Sequence, residues 1–460
     1  MFISAAVIIA GVIAVRIATS SGMPGLLWFI GIGLIIGESG FGIQFDDPAL
    51  TFNVANVLLA LLLIDGGFTT RWSSVRSVLA PAGLLATVGV LASITVTALA
   101  TWAILGVDPR IAILLAAMVS STDAAATFAI LRKLPIKNRP RTLLEAESGF
   151  NDPLVIIFVT VVASETWNTA SPLALAGQAF YQLIIGAIVG LLVGRIGQLM
   201  LARVSLPSSG LYPIAVISVA LYGFALAGLI GASGLLSAYV IGLWLGNKPL
   251  PHRKTTEGFG DAIGHLAQIA LFVMLGLLAS PSQLPTAILP SIVIGSVLTF
   301  IARPFSVSLC LMWFKIGPRE QAFISWAGLR GAVPIVLATI PLTQALPGAK
   351  QMFHIIFLLV VFFTLLQGPL LPTIARWMKV IDTTPTEAKL ESTPLEDLKA
   401  ALVQFQVPHD SQLIGLRFSE LKLPKGAVLA TVVRNGEFLD PGSALLFNQD
   451  DQLFLAVPAK

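Results

Sequence analysis

The sequence predicts an all-α polytopic membrane protein that ends in a small soluble domain. Three observations carry this prediction. Only 11% of the 460 residues are charged, against 56% hydrophobic, whereas soluble domains carry roughly 25% charged residues. So few charges could not cover a water-facing surface. The apolar residues also come in long runs, such as 111–131 and 352–371, and a run of ~18 or more reads as a membrane helix. After Lys379 the composition changes to a polar, proline-punctuated stretch and then to short alternating runs.

About 13 spans follow from the ~20-residue rule. They lie near 2–20, 24–38, 49–65, 78–105, 110–131, 142–163, 176–202, 210–228, 231–246, 259–279, 286–314, 320–345 and 351–376. The first run could pass for a secretory signal, but no positive residue precedes it and further spans follow at once. The loop charges test the set. Loops after odd-numbered spans, with their flanks, hold Arg71, Arg76, Arg132, Lys133, Lys137, Arg139, Arg141, Arg203, Lys248, Arg253, Lys254 and Lys315, and Arg376 and Lys379 follow the last span. Loops after even-numbered spans hold only Arg110 and Lys350, with Asp46, Asp47, Asp108 and Glu165. Positive residues stay cytoplasmic, so the C-terminus is expected in the cytoplasm and the N-terminus outside. The protein is expected in a bacterial inner (plasma) membrane. The net charge of +4 reports loop orientation and gives no reason to expect a nucleic-acid partner. Cys310 is the one cysteine, so there is no disulfide framework.

Residues 1–379 thus read as the transmembrane domain and 380–397 as a linker. Residues 398–460 read as a small α+β cytoplasmic domain. Its strand candidates are 427–433, 444–447 and 453–457, separated by the turn signals Asn435-Gly436, Pro441-Gly442 and Asp450-Asp451. The domain is too short for a large enzyme, and its last strand runs almost to Lys460, which fits a piece of a longer chain.

A charge at bilayer depth costs ~2.5–3.5 kcal/mol on the most lenient scale, so buried charges must be paired, water-lined or functional. In the fifth span Ser120, Ser121, Thr122 and Asp123 interrupt an apolar run. Short oxygen side chains compete for backbone hydrogen bonds, so the helix should unwind there. Asp123 would sit at a half-helix N-terminus, where negative charge is stabilised; capping and function are compatible roles for it. In the sixth span Glu147 and Asn151 are i, i+4, as are Ser148 and Asp152, so the four share adjacent stripes and can line one cavity. Asp152 could be a buried structural acid, but intramembrane acids default to ion or proton pathways. Glu145, on another face near the basic loop, reads as a solvated ion pair. In the twelfth span Gly328, Gly331 and Pro334 break the helix around Arg330. An arginine stays charged and needs a carboxylate, for which Glu147 is the candidate; a structural clamp and a transport role both stay open. Arg303, before Pro304 in the eleventh span, either balances the site or snorkels to the cytoplasm. Asp65 near Arg71 reads as an interfacial ion pair. The broken spans are the fifth and twelfth. A shift of seven inverts topology, so the halves would be inverted repeats, and interrupted helices at equivalent positions mark a secondary transporter's site.

A site of carboxylates, hydroxyls and freed carbonyls is an oxygen-only site, and hard cations prefer oxygen. Burial raises a carboxyl pKa and a nearby cation lowers it, so proton and cation exclude one another on Asp152. Asn151 cannot titrate, which implies one proton per monovalent cation and electroneutral exchange, unless Asp123 or Glu147 also exchanges. No resident cofactor is implied, only the transported K+ or Na+ and H+. A channel would need a continuous pore, which a buried Glu–Arg pair beside a titratable Asp fits poorly. An intramembrane protease would need a second motif acid or a histidine in reach, and His265 and His354 read as structural or interfacial.

Ser121-Thr122-Asp123, the run from Glu147 to Asp152 and the run from Gly328 to Val333 resemble, in order, the signatures of the monovalent cation:proton antiporter-1 family over roughly the first 380 residues. The tail from about 398 is similar to the C-terminal subdomain of potassium-transport regulators. Together they resemble bacterial NhaP-type potassium/proton antiporters, with sodium as the alternative cation. The resemblance implies a homodimer in membrane lipid whose core moves like an elevator against a dimerisation domain. It implies cation contacts from Asp152, Ser148, the Thr122 carbonyl and Asp123, with Glu147 acting through water. Asn151 would stabilise the site and Arg330 would pair with Glu147. Tails of this kind can bind nucleotides or other small regulators, although no glycine-rich phosphate loop is present.

Overall fold

A computed structural model describes residues 2–21, 23–38, 40–43, 45, 47–122, 136–168, 171–381, 391–395, 400–407, 411, 413–417, 420, 423, 427–434, 437–439 and 445–458. The chain divides into two compact units, Met1–Ile381 and Asp382–Lys460.

The first unit is helical. Its helices are α1 (Phe2–Ser21), α2 (Gly25–Ile36), α3 (Pro48–Thr69), α4 (Trp72–Leu105), α5 (Pro109–Ser120), α6 (Asn138–Ala163), α7 (Pro172–Arg203), α8 (Leu211–Leu229), α9 (Gly234–Gly246), α10 (Arg253–Leu278) and α11 (Pro281–Phe314). Then come α12, in two pieces (Pro318–Ala327 and Ala332–Thr343) bent by 49°, and α13 (Ala349–Trp377). Among the described residues, eight helices are long and apolar enough to cross a membrane, and the bent pair passes the same test jointly. Ala6–Ala18 within α1, and α2, α5 and α9, are shorter apolar helices. This is a multi-pass, all-α membrane architecture. The second half of the fifth predicted span, with Asp123, lies outside the described residues.

Local chemistry sets the helix starts. Asp47, Asp108, Ser171 and Ser233 each accept a backbone N–H of the first turn with their side chains, which satisfies donors the helix leaves open. Pro48, Pro109 and Pro172 occupy first-turn positions where no N–H is needed. Helix α4 begins at Trp72, ahead of the apolar run at 78, because its polar first turn continues the same helix. Arg110 fastens the far ends of α5 and α6 together: Nε donates to Val162 O at 2.9 Å, and Nη2 to Ala163 O and Ser164 O at 3.0 and 2.8 Å.

Two crossings are closed by glycine. A Cβ on Gly33 of α2 would stand 2.3 Å from Val273 O of α10, and one on Gly242 of α9 would stand 2.4 Å from Ile64 O of α3. Any side chain would push these backbones apart. The pairs are related: Gly33 and Gly242 are 209 residues apart, as are Gly67 and Gly276, which also lie in the crossings. The first residues of α1 and α8, α2 and α9, α4 and α11, and α5 and α12 are separated by the same 209 positions. Both α4 and α11 carry a five-residue π turn, Leu85–Gly89 and Leu298–Ala302, a distortion frequent at functional sites. Among the eight unbroken spans α6 is the most enclosed, with 72% of its apolar stretch buried, against 28% for α3 and 33% for α7. Leu191, Leu192 and Ile196 of α7 are exposed on this single chain, as apolar residues of a membrane helix can be.

The second unit holds a five-stranded antiparallel sheet of order β1-β2-β5-β3-β4, with β1 (Glu391–Leu395), β2 (Ala400–Gln406), β3 (Val428–Arg434), β4 (Glu437–Leu439) and β5 (Gln452–Pro458). Named elements among the described residues of this unit are all strands. A bulge between Leu429 and Thr431 shifts the alternation of β3, so that Leu429 and Val432 both reach the core with Leu453, Val407 and Phe447. Strand β1 falls inside the stretch read as a linker: its residues pair with β2 from Glu391↔Gln404 to Leu395↔Ala400, a backbone partnership that a polar composition does not reveal.

Candidate functional site

Helix α5 ends at Ser120, and Ser121 takes extended dihedrals, φ −70° and ψ 147°. The chain therefore leaves the helix where four oxygen-bearing residues had been read as a break. Thr122, next in line, is buried and turned onto α6. Its Oγ1 accepts from Asn151 Nδ2 at 2.7 Å and shares a hydrogen bond of 2.9 Å with Ser148 Oγ. The i, i+3 spacing of Ser148 and Asn151 puts both beside one hydroxyl. Asn151 Oδ1 and Ser121 Oγ are buried and have no hydrogen-bond partner among the described residues, so oxygen atoms in this cluster keep lone pairs for a guest.

Glu147 is fully buried and held by Arg303 of α11. Nη1 donates to Oε1 at 2.5 Å and Nη2 to Oε2 at 2.7 Å, the fork geometry that only arginine supplies. Arg303 follows the π turn Leu298–Ala302. This corrects the expectation that Arg330 pairs with Glu147. Arg330 lies in the α12 break, and its Nη1 donates to Ser120 O at 2.9 Å and to Ser121 O at 2.5 Å. Those carbonyls end α5, where helix carbonyls lack partners and carry partial negative charge. Arg330 is thus a cap supplied by another helix. Thr364 of α13 fixes it in turn, with Oγ1 donating to Arg330 O at 2.9 Å. Gly328 completes the joint: its Cβ would come within 3.0 Å of Arg303 Nε and 3.2 Å of Thr122 Cγ2.

Asp152 is buried at 5% exposure and lines a cavity of about 160 Å³ with Asp65, Glu145, Tyr239, Asp261 and His265 among its walls. Gly149, one turn from Asp152, admits the Tyr239 ring, which a Cβ there would meet at 2.7 Å. Glu145 keeps the expected pair with Arg141, at 3.0 Å. Asp65, expected in an interfacial ion pair, and His265, expected to be structural or interfacial, both line the cavity, as do Asp261 and Tyr239, which the sequence alone does not single out. Beyond the charged first turns of α10, Asp261, His265 and Gln268 are spaced i, i+4, i+7; all three line the cavity, and that stripe is the available signal. Of the predicted site residues, Thr122, Ser148 and Asn151 form one hydrogen-bonded cluster, Glu147 and Arg303 an adjoining buried pair, and Asp152 the cavity wall; Asp123 lies outside the described residues.

Residues 3–377 match the family described as sodium/hydrogen exchanger, transmembrane. The K+/H+ antiporter NhaP of Alkalimonas amylolytica is 36% identical over 437 residues, covering 93% of this chain and 76% of the relative. The K+/H+ antiporter NhaP2 of Shewanella oneidensis is 36% identical over 441 residues, covering 94% and 76%. The solved structure of the sodium proton antiporter MjNhaP1 from Methanocaldococcus jannaschii superposes with a TM-score of 0.71 at 22% identity, covering 82% of this chain and 97% of that one, a likeness of fold. The chain belongs to the transmembrane sodium/hydrogen exchanger family and is a cation:proton antiporter of the NhaP type, a transporter of monovalent cations and protons and not an enzyme.

Proposed function

We propose that Asp152 carries the exchange, holding either a proton or a monovalent cation, with Thr122, Ser148 and Asp123 supplying further oxygen contacts and Asn151 bracing the cluster. The observation that carries this reading is the position of Asp152 on the cavity wall while the other buried acid of α6, Glu147, is already neutralised by Arg303. One exchangeable negative charge then accepts one proton or one cation, and the exchange is electroneutral. One buried carboxylate holds either a proton or a cation, and each displaces the other; this competition couples the fluxes. Potassium is the favoured cargo, since the similar proteins of Alkalimonas and Shewanella are named K+/H+ antiporters.

Thirteen membrane crossings, in two inverted six-span halves joined by α7, fit the repeated offset of 209 residues and the breaks at α5 and α12. Inverted halves let one site face either side in turn. The N-terminus lies outside. The unit from Asp382 is a cytoplasmic regulatory domain, and the protein works as a homodimer in a bacterial plasma membrane.

The test is purified protein in vesicles with an internal pH dye, given potassium, sodium and lithium in turn. Potassium should elicit proton movement with no current, and Asp152→Asn should abolish it. Undiminished exchange by that variant removes Asp152 as the carrier.

A further inference from the structure

The transmembrane unit carries another concave site, lined by residues outside the exchange motifs and opposite in charge to the cavity at Asp152. We propose that it binds the phosphate group of an anionic phospholipid headgroup. The cavity has a volume of about 480 Å³, within the range of small-molecule sites. Its charged walls are Lys137, Arg319 and Lys379, against one acid, Glu320. The three cations come from three places in the chain: the residue before α6, the first turn of α12 and the exit of α13.

The backbone holds these segments together independently of their charges. Lys137 N donates to Val380 O at 3.0 Å, and Ile136 bridges Ile381. Ile136, Ile316 and Val380 are buried, so the walls stand on an apolar footing. Lys379 turns the chain with φ 57°. The side chains of Lys137, Arg319 and Lys379 are exposed and make no ion pair or hydrogen bond among the described residues. Arg139, Lys315 and Arg376 lie in the same three segments, and Arg139 spends its guanidinium on Phe314 O at 2.8 Å. Like charges gathered with so little compensation repel one another, and an anion bound among them relieves that cost. Phosphate oxygens suit both head types, the arginine fork and the lysine point charge.

The neighbourhood selects the lipid-borne form of that anion. Trp313 and Trp377, in the turns that precede Lys315 and Lys379, are 72% and 76% exposed. Exposed tryptophans at the ends of apolar helices sit at headgroup level, which puts the cations where lipid phosphates are concentrated.

The test uses the full chain in a neutral detergent, titrated with short-chain phosphatidylglycerol, short-chain phosphatidylcholine or inorganic phosphate. Saturable binding of phosphatidylglycerol, with little of the zwitterionic lipid, is expected. Each cation near an anionic lipid is worth about fivefold, so Lys137→Gln, Arg319→Gln and Lys379→Gln combined should weaken binding by roughly a hundredfold. Glu320→Gln, which leaves all three cations, should tighten it by about fivefold, and this arm decides the matter if the triple variant folds poorly. Unchanged binding in both variants overturns the proposal. So does inorganic phosphate binding as tightly as the lipid, which would make the occupant a soluble anion. The titration reads no ion flux, so its outcome is independent of whether Asp152 carries the exchange.

Discussion

Replacing Arg303 by methionine would leave the Glu147 carboxylate buried with neither of its guanidinium hydrogen bonds. Both side chains of this pair are almost sealed from solvent, at 4% and 0% exposure, so water cannot take over. Breaking a buried pair from one side costs ~3–5 kcal/mol, because the charge left behind is uncompensated, whereas replacing both partners by apolar groups is often close to neutral. Arg303→Met and Glu147→Leu should therefore each destabilise by ~3–5 kcal/mol, and the double variant by much less than their sum. The coupling should be read from equilibrium unfolding in mixed micelles, with the same cycle built between Glu147 and Arg330. That second cycle should couple more weakly, since the Arg330 Nη1 is committed to the carbonyls of Ser120 and Ser121. Stronger coupling of Glu147 to Arg330 than to Arg303 would refute the pairing and restore the partner suggested by sequence.

Two further outcomes follow from the same geometry. Gly328→Ala puts a methyl group against Arg303 and Thr122 at 3.0 and 3.2 Å; overpacking of this kind costs ~1–3 kcal/mol, so the variant should melt earlier and exchange more slowly, and wild-type behaviour in both would show that the α12 break yields easily. In the second unit, burial raises the Asp451 carboxyl, but hydrogen bonds from Arg434 and the Asn448 N–H outweigh it and leave the carboxyl below its ordinary range. A depressed folded pKa adds stability that is fully present above the unfolded value of ~3.9 and is lost as pH falls through the folded value. Hydrogen exchange of β5 should therefore show protection that holds at neutral pH and fades in acid, and Asp451→Asn should lower the neutral-pH protection by ~2 kcal/mol; equal protection in the two proteins at pH 7 would count against the pair.

Hydropathy located the helices of the first unit because lipid demands long apolar runs, and the starts of α3, α5, α7 and α9 were written in local capping residues. The break after Ser120 was also legible, since four oxygen-bearing residues interrupt the apolar run, but the meeting of Thr122 Oγ1 with Ser148 and Asn151 was not, because it joins segments 26 and 29 positions apart. Which arginine meets Glu147 was not legible. Arg303 is 156 positions from Glu147 in the chain, and the answer depends on a π turn that rotates the end of α11 and on a bend that carries Arg330 towards α5. Composition names neither distortion. The cavity was half-legible: Asp152 declared itself by sitting in an apolar helix, but Asp65 lies near the end of α3, and Asp261 and His265 follow the charged first turns of α10, where a charge has a cheaper solvated explanation. Strand β1 was missed because an edge strand rich in Glu, Ser, Thr and Pro lacks the alternation by which strands are read.

The two arginines divide a task that the sequence had assigned to one. A binding site for a small cation in an apolar bundle needs negative charge, and negative charge repels itself when the site stands empty. Arg303 removes Glu147 from that problem by direct pairing and still leaves its bulk and oxygen atoms beside the site. Among the described residues, the Arg330 guanidinium adds positive charge while its Nη1 rests on peptide carbonyls at the end of α5 rather than on a carboxylate. Under the proposed exchange, Asp152 then alternates between a neutral acid and an ion-paired carboxylate while the Glu147–Arg303 pair and Arg330 beside it keep their charges. Swapping the arginines' partners would break this arrangement even at constant composition. If Arg330 held Glu147, the α5 carbonyls would lose their cap and Thr122 would no longer be held against Ser148 and Asn151.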